Sequence, residues 1–345
     1  MEGATIKINV FIDTEVIRQN VTRIKQNLAR LRPNGTPKFM LMLKADAYGH
    51  GLATVAKRTQ DIVDAFGVFS LEEGLEIRKT GVKTPVLVNM IGKGEIETAV
   101  KNGLAIGLSN REQLDEINSL VERKTVRAQD VNLHIKVDSG MHRLGFDVQE
   151  LDNVLNKLKE LGVNVKGVYS HFGDHWDMQT DRFVVACDKV MAEFPATVRH
   201  IASSHTAYNP ELLFDGVRIG LSAYLGAMSV ESSVVATRYV QSGEYIGYGN
   251  FKADRPMNVA VVFGGYADGV DRENFASVWH GENKFKVIGV CMDSLIVDTG
   301  DDKLEIGDKI TILRADKIFE TAEEQNTIPY TLMTAWRGRT NKIYI

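Results

Sequence analysis

At 345 residues, with 44% hydrophobic and 25% charged content, the chain has room for a sizeable core and for about two domains. A formal net charge of −4 leaves no basic footprint for nucleic acid or anionic lipid, and the two cysteines, Cys187 and Cys291, form no CxxC pair and imply neither a disulfide framework nor a thiolate metal site. No run approaches the roughly 18 apolar residues of a membrane span, and residues 1–14 lack a basic segment followed by an apolar core, so the expectation is a cytoplasmic protein with no membrane, nucleic-acid or metal partner.

In chain order, residues 5–11 alternate polar and apolar side chains ahead of the first helix, a pattern predicting a strand that joins the second domain. Short apolar runs follow at 39–43, 65–69, 86–89, 104–108, 132–137, 165–170, 198–202 and 216–219. Between them, 52–64, 94–102, 111–121, 149–161 and 181–193 carry helical periodicity. Alternation of this kind predicts a parallel sheet. A doubly wound open sheet alternates in the same way, but eight strands is the number a TIM-type (β/α)8 barrel requires. Beyond about Ser229 the composition shifts to Val, Ile and Tyr runs broken by glycine, at 257–263, 284–293 and 309–313. The predicted architecture is therefore α/β, a (β/α)8 barrel over 10–228 followed by a β-rich domain over 229–345, joined by the amino-terminal strand 1–9.

The chemically suggestive residues fall at the carboxyl ends of the predicted strands, where barrel active sites lie. Lys44 closes the run 39–43 and opens Lys44-Ala45-Asp46-Ala47-Tyr48-Gly49-His50-Gly51. A lysine there can form a Schiff base while the glycine-containing turn holds an anion, the two things pyridoxal phosphate needs; an arbitrary lysine would be a solvated strand end. Ser203 and Ser204 follow the seventh strand, and Gly220 and Leu221 the eighth, so hydroxyls and backbone N–H groups could cradle a phosphate, although a serine pair alone is usually turn chemistry. Arg218, read by itself, would pair with a carboxylate, His171 would be a hydrogen-bonded core residue, and Tyr248 between glycines would mark a packed turn.

Taken as a set, these segments resemble the alanine racemase family. The octapeptide from Lys44 resembles its cofactor-lysine signature, Lys136-Val137-Asp138-Ser139-Gly140-Met141-His142-Arg143-Leu144-Gly145-Phe146 its KxDTGMxRLG motif, and 217–224 its VRxG segment. Ser170-His171-Phe172 is similar to the family's THF, Gly247-Tyr248-Gly249 to SYG and Cys291-Met292-Asp293 to CMD. The resemblance implies that Lys44 carries pyridoxal 5'-phosphate and that Tyr48 hydrogen-bonds its phosphate, with Ser203, Ser204, Gly220 and Leu221 completing the cradle. It implies Arg218 as partner of the pyridine nitrogen, Arg143 as ligand of the substrate carboxylate and the cofactor's phenolic oxygen, and His171 supporting the catalytic tyrosine; Lys136, often carbamylated in the family, would then position Arg143, the alternative being an unmodified Lys136 salt-bridged to a nearby carboxylate. Tyr248, reaching the site of a partner subunit in a homodimer, would be the second base opposite Lys44, Met292 would offer a backbone donor to the substrate carboxylate, and Tyr266 and Asp293 would line the access passage.

A guanidinium cannot accept a hydrogen bond, so Arg218 would keep the pyridine nitrogen unprotonated and the cofactor a weak electron sink, which favours reprotonation over transamination. The implied activity is racemisation of a small amino acid, alanine first. The sequence departs from the family where Ser203 stands for a usual asparagine, at Gly173-Asp174-His175-Trp176, and near the carboxyl terminus, where 336–342 aligns loosely with a closing RVPR and the tyrosine before it has no evident counterpart. Serine or another small amino acid is the alternative substrate. A barrel-type decarboxylase and a non-catalytic pyridoxal-phosphate carrier are the more distant readings.

Overall fold

A computed structural model describes residues 7–248 and 251–345. Each of the eight apolar runs forms a strand: Lys38–Met42, Ala65–Val68, Val86–Val88, Ala105–Leu108, Asn132–Lys136, Asn164–Tyr169, Val198–Ser203 and Gly216–Ile219. They pair in parallel in chain order, and the last returns to the first through Lys38↔Gly216 and Leu41↔Ile219. The sheet is therefore a closed barrel, not a doubly wound sheet. Strands covered on both faces read as continuous apolar runs, which is why they stand out in the sequence.

Helices fill the connections, among them Leu52–Thr59, Leu71–Lys79, Ile96–Lys101, Arg111–Glu122, Leu151–Leu161 and Trp176–Glu193. The first stops short of the expected 52–64, and the last begins earlier than 181, at Trp176, whose indole N–H donates to the Gly173 carbonyl at 2.7 Å. Ser70 and Glu73 form a capping box at the start of Leu71–Lys79, and Asn110 caps Arg111–Glu122 through the Gln113 N–H.

The chain divides into two compact units, one comprising Arg18–Ala47 with Gly51–Ala223 and the other the remaining described residues, including Tyr48–His50 and Tyr224–Ile345. The second unit is built on an eight-stranded sheet. Its long strand Met228–Val240 pairs antiparallel with Asn9–Ile12 through Val10↔Val230, and Asn9–Ile12 pairs in parallel with Asn341–Tyr344. Of the expected amino-terminal strand, residues 1–6 lie outside the described residues. Met257–Phe263 and Lys309–Leu313 form as predicted, whereas the run 284–293 ends at Val290, because Cys291 N–H donates back to the Ser294 carbonyl in a tight turn. Two short helices, Ile318–Glu324 and Pro329–Thr334, were not anticipated in a β-rich segment. Among the described residues no helix is long and apolar enough to cross a membrane.

Candidate active site

The strand Lys38–Met42 delivers Lys44 to the barrel's carboxyl-terminal face, and the chain then makes an unusual turn. Ala45, Asp46, Ala47 and Tyr48 all have φ near +54°, a left-handed helical turn built from L-residues. Each such residue costs roughly 1–2 kcal/mol, so the turn must be held by other contacts. Glu73 accepts the Ala45 N–H at 2.6 Å and, through its other oxygen, the Phe69 N–H at 2.8 Å, while Asp46 accepts the Leu52 N–H at 2.7 Å. Glu73 escaped the sequence reading of the site, although the Ser-x-x-Glu spacing of its capping box was visible.

Lys44 is exposed at this face, yet its amine is held below the usual lysine range, first by partial desolvation and then by the guanidinium charges of Arg143 and Arg218. Lys136, at the end of its strand, is 7% exposed and is pushed down to about 7 by desolvation, with Arg218 and Arg143 adding to it. The loop beyond is organised by Asp138, whose Oδ1 accepts N–H groups of Gly140, Met141 and His142 at 2.9–3.0 Å. Phe146 closes the loop by donating to the Lys136 carbonyl at 2.9 Å, and Gly145, at φ +123°, is there because a Cβ would sit 2.7 Å from the Asp138 nitrogen. Arg143 projects, exposed, from this loop.

Arg218, 6% exposed, donates through Nη1 to the His200 carbonyl at 2.7 Å and to His200 Nδ1 at 3.1 Å, and through Nη2 to the Ser170 carbonyl at 2.5 Å. His171 Nδ1 lies 3.4 Å from Nη2; burial, then the Arg218 charge, hold this imidazole down to about 3, so it is neutral. Ser204 Oγ accepts N–H groups of Gly220 at 3.0 Å and Ser222 at 3.3 Å, while the Ser203 N–H is taken by Thr206 Oγ1. Ser222 Oγ is buried without a hydrogen-bond partner among the described residues. The structure thus brings Lys44, Lys136, Arg143, His171, Ser203, Ser204, Arg218, Gly220 and Leu221 to the carboxyl-terminal side of one barrel, and adds Ser222, which the sequence reading left out.

In the other unit, Tyr48 is 6% exposed and stacks on Tyr224 at 5.0 Å between ring centroids, with Tyr330 at 5.9 Å. Tyr248 is 71% exposed on a turn; its neighbour Gly249 lies outside the described residues. Tyr266, Met292 and Asp293 are brought together by backbone pairing: Tyr266 N–H donates to the Cys291 carbonyl and Ala267 N–H to the Met292 carbonyl, both at 3.1 Å. That approach requires Gly265, whose Cβ would lie 2.1 Å from the Cys291 oxygen. Arg339 straddles Asp268, both nitrogens at 2.9 Å, and reaches Asp293 at 2.7 Å. Only a loose likeness of 336–342 to the family's last motif pointed toward it. Trp336, just upstream, is buried with Nε1 unpartnered among the described residues.

Residues 12–227 match the profile of the alanine racemase N-terminal domain, and residues 227–344 that of the alanine racemase C-terminal domain. The alanine racemase of Salinispora tropica is 31% identical over 92% of this chain and 94% of its own length. The solved alanine racemase of a D-cycloserine-producing Streptomyces lavendulae superposes with a TM-score of 0.91 at 26% identity, over 99% of this chain and 98% of that one. The Bartonella henselae alanine racemase, solved with covalently bound pyridoxal phosphate, shares the fold at a TM-score of 0.87 and 24% identity, over 99% of this chain and all of that one. The chain belongs to the alanine racemase family.

Proposed function

We propose that the protein is a pyridoxal-phosphate-dependent racemase that interconverts L- and D-alanine, working as a homodimer. The observation that carries this reading is the convergence, at one end of the barrel, of a lysine with a depressed pKa, two arginines that depress it, and a pair of serines around Gly220. The donor set suits the cofactor. Ser222 Oγ is buried and without a hydrogen-bond partner among the described residues, and Ser204 Oγ already accepts two N–H groups, so its own hydrogen is left to donate; both hydroxyls can serve an anion. We assign the phosphate to Ser203, Ser204, Gly220, Leu221 and Tyr48, the pyridine nitrogen to Arg218, and the covalent attachment to Lys44. When bound, pyridoxal phosphate supplies conjugation that acidifies the substrate's α-carbon.

The chain's own groups do the rest. Arg143 takes the substrate carboxylate and the cofactor's phenolic oxygen, and the Met292 N–H offers that carboxylate a second donor, so the α-hydrogen is held in one orientation. Lys44 has a lowered pKa and hence more of its neutral form; as a free amine it would take or return the proton on one face. Tyr248 of the partner subunit serves the opposite face, because inversion needs an acid and a base on opposite sides. Neutral His171 supports that tyrosine. Lys136 near neutrality has a free amine whose nitrogen attacks carbon dioxide; the nitrogen–carbon bond forms as one C=O π bond opens, a proton leaves the nitrogen, and the carbamate anion gives Arg143 a counter-charge. Tyr266 and Asp293 line the access passage, with Arg339 holding the aspartate in place.

Two measurements test the reading. A chiral assay across alanine, serine and other small amino acids should show interconversion, fastest for alanine. Borohydride reduction of the pigmented protein should then leave the pyridoxyl label on the peptide containing Lys44; a label on another lysine would remove the site assignment.

A further inference from the structure

The barrel has a second opening. On the face away from Lys44, a cavity of about 470 Å³ is lined by the first residues of most of the strands, Lys38 and Ala105 among them. Its wall carries four cations, Lys38, Arg78, Lys83 and Lys166, against one carboxylate, Asp64. Asp64 is engaged by the Phe39 N–H at 2.7 Å. Arg78 is fixed by the carbonyls of Val82, Thr84, Asn102 and Gly103 at 2.9–3.2 Å, and it has no carboxylate partner among the described residues. The remaining wall is largely apolar, with Phe39, Met40 and Val198.

The floor is polar, and its protons can be placed. Arg218 only donates, so His200 Nδ1, 3.1 Å from Nη1, must be the acceptor. His200 Nε2 then carries the hydrogen and donates to His134 Nδ1 at 2.8 Å. His134 Nδ1 being an acceptor, its Nε2 bears the hydrogen, and His134 lines the cavity. Burial, then neighbouring positive charge, hold the two imidazoles neutral: His134 falls to about 4 and His200 lies well below its ordinary value. Tyr169 stacks flat on His200 at 5.1 Å and locks the ring in this orientation. A line of hydrogen bonds thus runs through the barrel from the cavity to the arginine assigned to the pyridine nitrogen.

We propose that this cavity is a second ligand site, for a small organic acid with an apolar body, and that its occupancy is felt at Arg218 through His134 and His200. The carboxylate accepts the His134 Nε2–H and lies among the wall cations. Accepting that hydrogen makes His134 Nδ1 a better acceptor, His200 Nδ1 in turn, and the hold on Arg218 firmer. The binding claim stands apart from the proposed activity; the coupling claim rests on it.

Benzoate, with benzamide as its neutral counterpart, is the probe, titrated into holoenzyme and followed by ligand-detected NMR and by the cofactor's visible band. Ala105 shares the barrel's interior face with Gly107, whose Cβ would abut the Tyr169 hydroxyl, so Ala105→Phe fills the cavity. Benzoate should bind at roughly millimolar concentration, benzamide about tenfold more weakly, and Ala105→Phe should weaken benzoate by at least about tenfold. The double variant Lys83→Gln/Lys166→Gln, at two exposed positions that leave the fold alone, should weaken it several-fold. No binding, binding unchanged in both variants, or binding lost in Arg143→Ala and displaced by alanine would overturn the site. A band shift present in wild type and absent in Ala105→Phe supports the coupling; binding with no shift overturns it, and a protein with no visible band at all fails the cofactor reading while leaving the binding result intact.

Discussion

Lys136 buries an amine beside Arg143 and Arg218, and desolvation brings its proton affinity to about 7 from an ordinary 10.5. The sign of the consequence is fixed by linkage. The folded amine gives up its proton near pH 7 and the unfolded one only near 10.5, so across that window the unfolded chain binds the extra proton and stability rises with pH; below about 7 the penalty is in full force. Lys136→Met should therefore flatten the rise and raise stability at pH 6, as read from denaturant midpoints of cofactor-free protein in carbonate-free buffer. Parallel curves for the two proteins would remove the claim. In bicarbonate labelled with ¹³C, the wild type should show a protein-bound carbamate resonance that the variant lacks. The lysine was legible as a site residue because it opens a recognisable motif. Its depressed affinity was not, since the two arginines approach it only in the folded barrel. The same holds for His134 and His200, which are 66 positions apart and meet at 2.8 Å across the intervening strand Asn164–Tyr169.

At the scale of elements, the barrel strands were readable because burial on both faces leaves an unbroken apolar signature, and their carboxyl ends could be found to within a residue or two. What lies just beyond those ends was not readable. The left-handed turn from Ala45 to Tyr48 contains two alanines, which carry no preference for positive φ, and its form depends on Glu73 reaching back from the helix Leu71–Lys79. The two carboxyl-terminal helices escaped for a similar reason: each is a short piece whose identity is settled by packing. The loop bearing Arg143 gives a test at this scale. Gly145→Ala forces a Cβ to within 2.7 Å of the Asp138 backbone at φ +123°, at a cost on the order of 1–3 kcal/mol. Because the loop presents the proposed carboxylate ligand, the KM for alanine should rise several-fold, well beyond any fall in kcat. A loss of kcat at unchanged KM would place Arg143 elsewhere in the reaction.

For the whole molecule, the family resemblance implies Lys44 and Tyr248 as the opposed bases, yet the two belong to different compact units of the chain. Tyr248 stands 71% exposed on its turn, the condition of a side chain available to a second copy. If each active site takes its lysine from one subunit and its tyrosine from the other, the loss of either can be repaired by mixing. Lys44→Ala and Tyr248→Phe chains, each inactive as a homodimer, should regain activity on subunit exchange, because one of the two composite sites in the heterodimer has both groups intact. Recovery is bounded at half of the wild-type activity per heterodimer. The Tyr248→Phe homodimer adds an internal check. Losing one general acid or base costs about 10²- to 10⁴-fold in racemisation, while solvent deuterium should still enter the α-position of the enantiomer served by Lys44 far faster than that of its mirror image. Equal residual exchange from both enantiomers would show that Tyr248 is not the second base. Failure to recover activity, with exchange of subunits demonstrated by differential tagging, would show instead that the site is complete within one chain.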